Sequence, residues 1–360
     1  MLSAVFDFNE LKNKDGENLS FAKLLIQDLN TVILADDALE VDKWLCYSGL
    51  TPNSITVEKF SAPKYFLRCQ NSNDWFLFVS DEDLDCAKDS ENFVKCGYRF
   101  NGVPKRFQDQ SFTEHAKNKI LYNELSWLYM DSIVNDTSKE VDFLKTILDE
   151  NHSKKILDCC CGVGRHAARL GALGFKVTGI DASQAQITTA EKQNKNANVD
   201  YFVQDARNFL LPDKNFDAAI CMWTTYNYFS KEDDLQKVLG SLWSHLRTEA
   251  LLILDSKNIP ILDKERLYHR TTQKKNLDMT LLIYKRIIKS IQMSLYFYFL
   301  NVGGTRKFYM DEEFVRFYSL EEMKKINHYG FEFVRAYGDF NMNLFDEKHS
   351  KRMITVWKKI

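Results

Sequence analysis

The chain has 360 residues, 45% hydrophobic and 13% aromatic, with a formal net charge of −2, enough apolar material for a substantial core and enough length to suggest two domains. Its longest apolar runs, such as Leu251–Leu254 and Leu295–Leu300, fall far short of the roughly 20 residues that cross a bilayer, and the N-terminal MLSAVFDFNELKNKDG carries acids early, so neither a membrane span nor a secretory signal is expected. Eight cysteines in a chain this long do not make a disulfide framework, which points to a reducing, cytoplasmic compartment.

Taken in order, the first hundred residues read as mixed short segments: a helix near Ser20–Leu29, a strand at Thr31–Ala35, and strand-like YFLRC and DWFLFVS. They suit a small N-terminal α+β domain over residues 1–105. Its role stays open between substrate recognition, dimerisation and stability. Asp81–Asp89 reads as a solvated acidic segment, and Asn101–Gln110, with Gly102 and Pro104, reads as the linker to a second domain over 112–360. From Phe112 the pattern turns helical, with Ile120, Leu121, Leu125, Leu128 and Tyr129 forming an apolar stripe. Thr137 and Glu140 then have the spacing of a capping box ahead of a helix to about Glu150.

The stretch KKILDCCCGVGRHAARLGALGFKVTGIDAS, Lys154–Ser183, holds a strand, a glycine turn, a helix and a second strand. Ile156–Cys160 is a short apolar run of the kind buried on both faces of a parallel sheet. Gly162 and Gly164 permit strained dihedrals and close approach of a ligand, while the following helix points free N–H groups into the same crevice. Asp158 ends the first strand and Asp181 the second, so both carboxylates lie at the edge where open α/β sheets bind ligands. Asp181 suits the two hydroxyls of a ribose. Gly162–Ala167 also fits the G-x-G-x-x-A dinucleotide fingerprint, but Asp158 disfavours a pyrophosphate and favours a ligand bearing an ammonium and a sulfonium. Cys159–Cys161 are adjacent rather than spaced for a tetrahedral set, so no metal is expected. His166 reads as a helix-start or supporting residue rather than a base.

Ser183 and Gln186 form a second capping box. A helix follows from Ser230 to about Leu246, and the strand–helix alternation continues up to it. Strand-like Leu277–Lys289, Ile291–Leu300 and Lys307–Tyr318, with a Gly303-Gly304 turn, suggest an antiparallel insertion before a last helix capped by Ser319 and Glu322. The basic residues 264–290 invite a phosphate or nucleic-acid partner, yet their strand-like alternation favours a solvated sheet face, and no nucleic-acid partner is expected. Phe331–Tyr337 and Met353–Trp357 close the sheet.

These motifs resemble the class I S-adenosylmethionine-dependent methyltransferases of small-molecule type, over roughly Tyr129–Lys359: DCCCGVG at the end of strand one, Asp181 ending strand two, VDYFVQDA, ICMWTTYNYF, FYSLEEM and KRMITVWKK. Cys160 stands where that family most often has glycine, and Arg247-Thr248-Glu249-Ala250 replaces a common Pro-Gly turn. The resemblance implies a Rossmann-like seven-stranded sheet and S-adenosyl-L-methionine as cofactor. It implies a cofactor-binding set of Asp158, Cys160, Gly162, Gly164, Asp181, Ala182, Asp205, Ala206 and Met222, with Asp205 toward the adenine amino group. WTTYNYF follows the fourth strand, so Trp223, Tyr226 and Tyr228 are candidates for the acceptor side, joined by Tyr129, or Tyr122, as a lid. Burial in the core is the competing reading for Trp223 and Phe229.

No N-P-P-Y-like tetrapeptide and no Pro-Cys nucleophile follow the fourth strand, which disfavours base modification and leaves a small molecule as the expected partner. The expected reaction is in-line transfer of a methyl group to an N or O atom. His328 and Asp339 are hypothetical bases, and none is assigned. An NAD(P)-binding oxidoreductase using Gly162, Gly164 and Ala167, and a binding module without turnover, remain the alternatives; a homodimer is left open.

Overall fold

The computed structural model describes residues 2–14, 16–48, 50, 54–58, 75–79, 93–96, 122–123, 125, 137–274, 277–326 and 330–360. The chain divides into two compact units, one of residues 1–108, 264–288 and 294–312, the other of 109–263, 289–293 and 313–360. The linker expected at Asn101–Gln110, Tyr129, His328 and most of the helix expected after Phe112 lie outside the described residues.

In the first unit, β1 (Leu2–Asp7), α1 (Phe8–Leu11), α2 (Gly16–Asp28), β2 (Asn30–Leu34), α3 (Ala38–Ser48), β3 (Ser54–Glu58), β4 (Trp75–Val79) and β5 (Phe93–Cys96) follow in order. The five strands are all parallel in the order β3-β2-β1-β4-β5. This corrects the α+β expectation to a parallel α/β sheet. Ala4, Val5 and Phe6 are fully buried, the unbroken apolar run required where both faces of a parallel strand are covered. Asp7 ends β1 and starts α1 as its cap, accepting hydrogen bonds from the Asn9 and Glu10 amides and satisfying N–H groups that the first helical turn leaves free.

The second unit begins its regular structure with α4 (Ser138–Glu150), β6 (Lys155–Cys159), α5 (Arg165–Ala172), β7 (Lys176–Asp181), α6 (Gln184–Gln193), β8 (Val199–Val203), β9 (Phe216–Cys221), α7 (Glu232–His245) and β10 (Leu246–Lys257). Then come β11 (Glu265–Lys274), β12 (Leu277–Ile288), β13 (Ile291–Val302) and β14 (Thr305–Arg316), a four-stranded sheet in that order whose first pair is antiparallel. Gly303 and Gly304 turn β13 into β14 with both residues in the left-handed region, the conformation that two-residue hairpin turns demand. Most of this insertion groups with residues 1–108 rather than with the sheet it interrupts. Phe21 of α2 packs on Tyr284 of β12 with ring centroids 4.8 Å apart, and both rings are fully buried.

The chain returns through α8 (Leu320–Ile326), β15 (Phe331–Tyr337) and β16 (Arg352–Lys359). The resulting seven-stranded sheet has the order β15-β16-β10-β9-β6-β7-β8, with β16 antiparallel to both neighbours. Ile156, Leu157 and Cys159 of β6 are fully buried at its centre, and each aliphatic side chain so removed from water contributes about 1.5–3 kcal/mol. Two caps match their sequence signals: Ser183 accepts from the Gln186 amide, and Ser319 and Glu322 bond each other's amides reciprocally. The Thr137–Glu140 box does not form, because Thr137 makes no side-chain capping bond and Glu140 is engaged elsewhere.

Candidate active site

Strands β6 and β7 pair in parallel, with Asp158 beside Gly179 and Cys159 beside Ile180, so Asp158 and Asp181 end neighbouring strands at one sheet edge. After β6 the backbone takes left-handed dihedrals at Cys160, Gly162 and Gly164, with φ of 61°, 56° and 74°. The two glycines serve different ends. A Cβ on Gly164 would lie 2.4 Å from the Tyr201 hydroxyl, so Gly164 is required by packing, whereas the nearest atom to a Cβ on Gly162 is Gln186 Oε1 at 3.5 Å. Cys160 accepts a conformation that costs a side chain roughly 1–2 kcal/mol.

Asp158 is 1% exposed, and its Oδ2 has no hydrogen-bond partner among the described residues. Burial pushes its pKa up to about 8, against the pull of the Arg165 charge. A buried carboxylate oxygen without a partner is costly unless something positive meets it. Asp181 is bonded by the Gly162 amide to Oδ2 and the Ser183 amide to Oδ1, both at 2.9 Å, and burial raises it to about 7. The Ala182 amide acts on the same carboxylate, so at least two of its roughly four lone-pair positions are taken. A cationic group at Asp158 and a vicinal diol at Asp181 fit these acceptors.

Farther along the edge, Ala206 and Met222 are buried and Ala182 is half-buried. Asp205, expected to face an adenine amino group, is held by Arg207 through Nη2 at 2.8 Å, Nε at 3.2 Å and its amide at 3.1 Å.

The corner after β9 is built from two consecutive left-handed residues, Trp223 and Thr224, with φ of 62° and 67°. Such a corner persists only when its surroundings hold it. The Trp223 amide donates to Asp255 Oδ2 at 2.8 Å and the Thr224 amide to the Asp255 carbonyl at 2.9 Å, while Arg352 grips the fully buried Asp255 carboxylate through Nε and Nη2 at 2.5 and 2.6 Å. The Trp223 indole N–H donates to Glu140 Oε1 at 2.7 Å, and its ring lies under the Arg165 guanidinium, 4.4 Å away. Glu140 Oε2 also meets Arg165 Nη1 at 3.1 Å and His166 Nε2 at 2.5 Å. Burial pushes Glu140 upward, but the His166 and Arg165 contacts outweigh it and leave its pKa below the ordinary value. His166 is thus a buried supporting residue rather than a surface one.

The remaining acceptor candidates separate. Tyr226 is fully buried and stacks on Tyr318, centroids 6.5 Å apart, which places it in the core rather than in the crevice. Tyr228 is half-buried and its hydroxyl meets that of Tyr122 at 2.9 Å. Asp339 spends its carboxylate on the amides and side chain of its own loop, at Asn341 and Asn343. Sequence reasoning missed Glu140, taken as a cap, and Asp255 and Glu313, for which no local signal exists.

Residues 156–249 match the family model described as a methyltransferase domain. The glycine/sarcosine N-methyltransferase of Aphanothece halophytica is 29% identical over 138 residues, 37% of this chain and 52% of the relative. That of Halorhodospira halochloris is 33% identical over 122 residues, 33% of this chain and 46% of the relative. The chain thus spans about half the length of these relatives. Among solved structures, an S-adenosylmethionine-dependent methyltransferase from Clostridium acetobutylicum ATCC 824 superposes with a TM-score of 0.55 at 20% identity, covering 66% of this chain and 98% of that one. The sugar N-methyltransferase KedS8 from Streptoalloteichus sp ATCC 53650 does so with a TM-score of 0.56 at 17% identity, covering 66% and 92%. These likenesses establish the fold as Rossmann-like, of methyltransferase type.

Proposed function

We propose that this chain, whose residues 156–249 match a methyltransferase domain, transfers a methyl group from S-adenosyl-L-methionine to a nitrogen or oxygen atom of a small molecule. The observation that carries the reading is the buried Asp158 oxygen without a partner, beside the left-handed turn at Gly162. Asp158 would hold the cofactor's ammonium, the Gly162 backbone would border its carboxylate end, and Asp181 would take the ribose hydroxyls on its free lone pairs. Ala182, Ala206 and Met222 would wall the adenine, with Asp205 toward its amino group.

When bound, S-adenosylmethionine supplies a methyl group already activated on a sulfonium. The chain's own task is then to align the acceptor, and orientation of this kind supplies up to roughly 7–11 kcal/mol of barrier reduction. The Trp223–Thr224 corner, fixed by Glu140 and Asp255, sets the acceptor-side wall. Relatives named for glycine/sarcosine and sugar N-methylation favour nitrogen over oxygen. A nicotinamide-binding reading is less well supported, since Asp158 sits where a pyrophosphate would approach. We also propose an accessory role for the N-terminal unit of residues 1–105, outside the matched family region, a cytoplasmic location, and no nucleic-acid or membrane partner.

The test is release of S-adenosylhomocysteine by the full chain when incubated with S-adenosylmethionine and a set of small amines, hydroxy compounds and amino sugars. Acceptor-dependent release supports the function. Binding of S-adenosylmethionine with no release from any acceptor would leave a binding module instead.

A further inference from the structure

One chain of hydrogen bonds leads from the cofactor edge into the protein interior. Tyr122 is seated on the residues around Asp181: its carbonyl accepts from Ser183 Oγ at 2.7 Å and from Gln186 Nε2 at 3.4 Å, and the Ser183 amide bonds Asp181. The Tyr122 hydroxyl meets the Tyr228 hydroxyl at 2.9 Å, the rings standing edge to face at 81°. Tyr228 in turn donates to Oε1 of Glu313 on β14. The two tyrosines are half-buried, whereas Glu313 is only 5% exposed. The path therefore runs from two half-buried tyrosines to a buried carboxylate.

The segment that brings Glu313 is bolted to the loop after β9. Asn227 Nδ2 donates to the Arg316 carbonyl at 2.7 Å, Arg316 Nη1 donates to the Ser230 carbonyl at 3.3 Å, and the Tyr318 hydroxyl donates to the Phe229 carbonyl at 2.5 Å. Arg316 Nη2 pairs with Glu322 Oε1 at 3.3 Å. Glu313 thus places a carboxylate directly on the Tyr228 hydroxyl.

We propose that Tyr122, Tyr228 and Glu313 form the acceptor's amine subsite: they bind a protonated primary or secondary amine and accept its proton. The inference rests on the methyl-transfer reading above and names its substrate class. An amine arrives from neutral water as an ammonium, with no lone pair to attack. At the subsite its N–H bond breaks and the electron pair stays on nitrogen. A tyrosine oxygen takes that proton while passing its own along the chain, and the carboxylate of Glu313 ends as the neutral acid, later to lose the proton to water. Tyr228 and Tyr122 face the acceptor; Glu313 is a positioning residue that acts through Tyr228. A general base placed in this way contributes typically 10²–10⁴-fold.

The test uses the full chain, S-adenosylmethionine, and a panel of glycine, sarcosine, D-glucosamine and simple primary and secondary amines. The variants are Glu313→Gln, Tyr228→Phe and Tyr122→Phe. With an amine that the wild type methylates, Glu313→Gln is expected to lower kcat about 100-fold or more near pH 7, leave S-adenosylmethionine affinity within about twofold, and regain rate as pH approaches the free amine's own pKa. Tyr228→Phe, which removes one oxygen, should follow the same pH profile. Calorimetry of amine binding at pH 7 in buffers of different ionisation enthalpy gives a second readout: no net proton release for the wild type, and release of one proton or loss of binding for Glu313→Gln. A variant rate that stays depressed at all pH values, equal rates for variant and wild type, or no amine bound or methylated by a chain that does bind S-adenosylmethionine would each overturn the proposal. Failure to bind S-adenosylmethionine at all would instead bring down the reading on which it rests.

Discussion

The indole N–H of Trp223 donates to Glu140 across 2.7 Å, tying the corner after β9 to the helix that precedes β6. The same carboxylate holds Arg165 and His166 at the start of the helix after the glycine turn. One side chain therefore couples the two halves of the crevice.

Removing that side chain leaves the half-buried Arg165 without its counter-charge and the buried His166 without its hydrogen-bond partner, so Glu140→Ala is expected to lower the unfolding free energy by about 3–5 kcal/mol. Trp223→Phe, which loses one hydrogen bond to a charged group, should cost about 1.5–3 kcal/mol. Urea unfolding of the three proteins checks this. Glu140 has a lowered folded pKa, so its contribution is present above its ordinary value of 4.5 and is lost as pH falls through the lower folded one; His166, also lowered by burial, acts in the same direction below 6.5. A Glu140→Ala protein as stable as wild type would show that the network is incidental.

Asp158 and Asp181 have the opposite sign. Their folded pKa values, about 8 and about 7, lie above the ordinary 3.8, so the ligand-free protein holds protons that the unfolded chain gives up, and their contribution to stability declines as pH rises from 3.8 toward those values. A cationic ligand requires the ionised form. S-adenosylmethionine affinity is therefore expected to rise between about pH 6 and pH 7.5, with protons released on binding, and Asp158→Asn should flatten that rise. Calorimetric titrations across this range measure both. Affinity that falls or stays level with rising pH would contradict the assignment of Asp158 to the ammonium.

How much of this was legible differs from residue to residue. The strand-end positions of Asp158 and Asp181 and the left-handed turn at Gly162 and Gly164 could be read because turn glycines and strand-end acids are local signals, and Ser319–Glu322 because a capping box spans four residues. Glu140 was misread for the same reason: its T-x-x-E spacing is local, but its partner Trp223 lies 83 positions away. Tyr226 drew attention through its hydroxyl, yet burial against Tyr318 decided its place. The N-terminal sheet was taken for α+β because short apolar runs do not encode whether their neighbours run parallel. The grouping of β11–β14 depends on contacts such as Phe21 with Tyr284, which no window of sequence contains.

Replacing Cys160 by glycine should relieve the left-handed strain, at φ 61°, while adding freedom to the unfolded chain. The two effects are of similar size, so the expected change is between about 0 and 1 kcal/mol in favour of the variant, with S-adenosylmethionine binding retained. Thermal unfolding and calorimetry decide it. A marked loss of affinity would assign the Cys160 side chain a direct role at the site.

Deleting residues 1–105 uncovers Tyr284 and the strand that carries it, because Phe21 and its helix go with the deleted part. The shortened chain is expected to bind a hydrophobic dye and to associate in solution, as exposed apolar strands do. Dye fluorescence and light scattering report this. A monodisperse fragment with no added dye binding would favour a separable N-terminal domain.

The most direct test of the central claim is a pair of calorimetric titrations of the full chain, one with S-adenosylmethionine and one with NADH, repeated on Gly162→Val. The account predicts saturable binding of one S-adenosylmethionine per chain, its loss in Gly162→Val, where a branched side chain meets both a left-handed backbone and the ligand, and no heat with NADH. Saturable NADH binding, or S-adenosylmethionine binding that is the same in wild type and Gly162→Val, would contradict it.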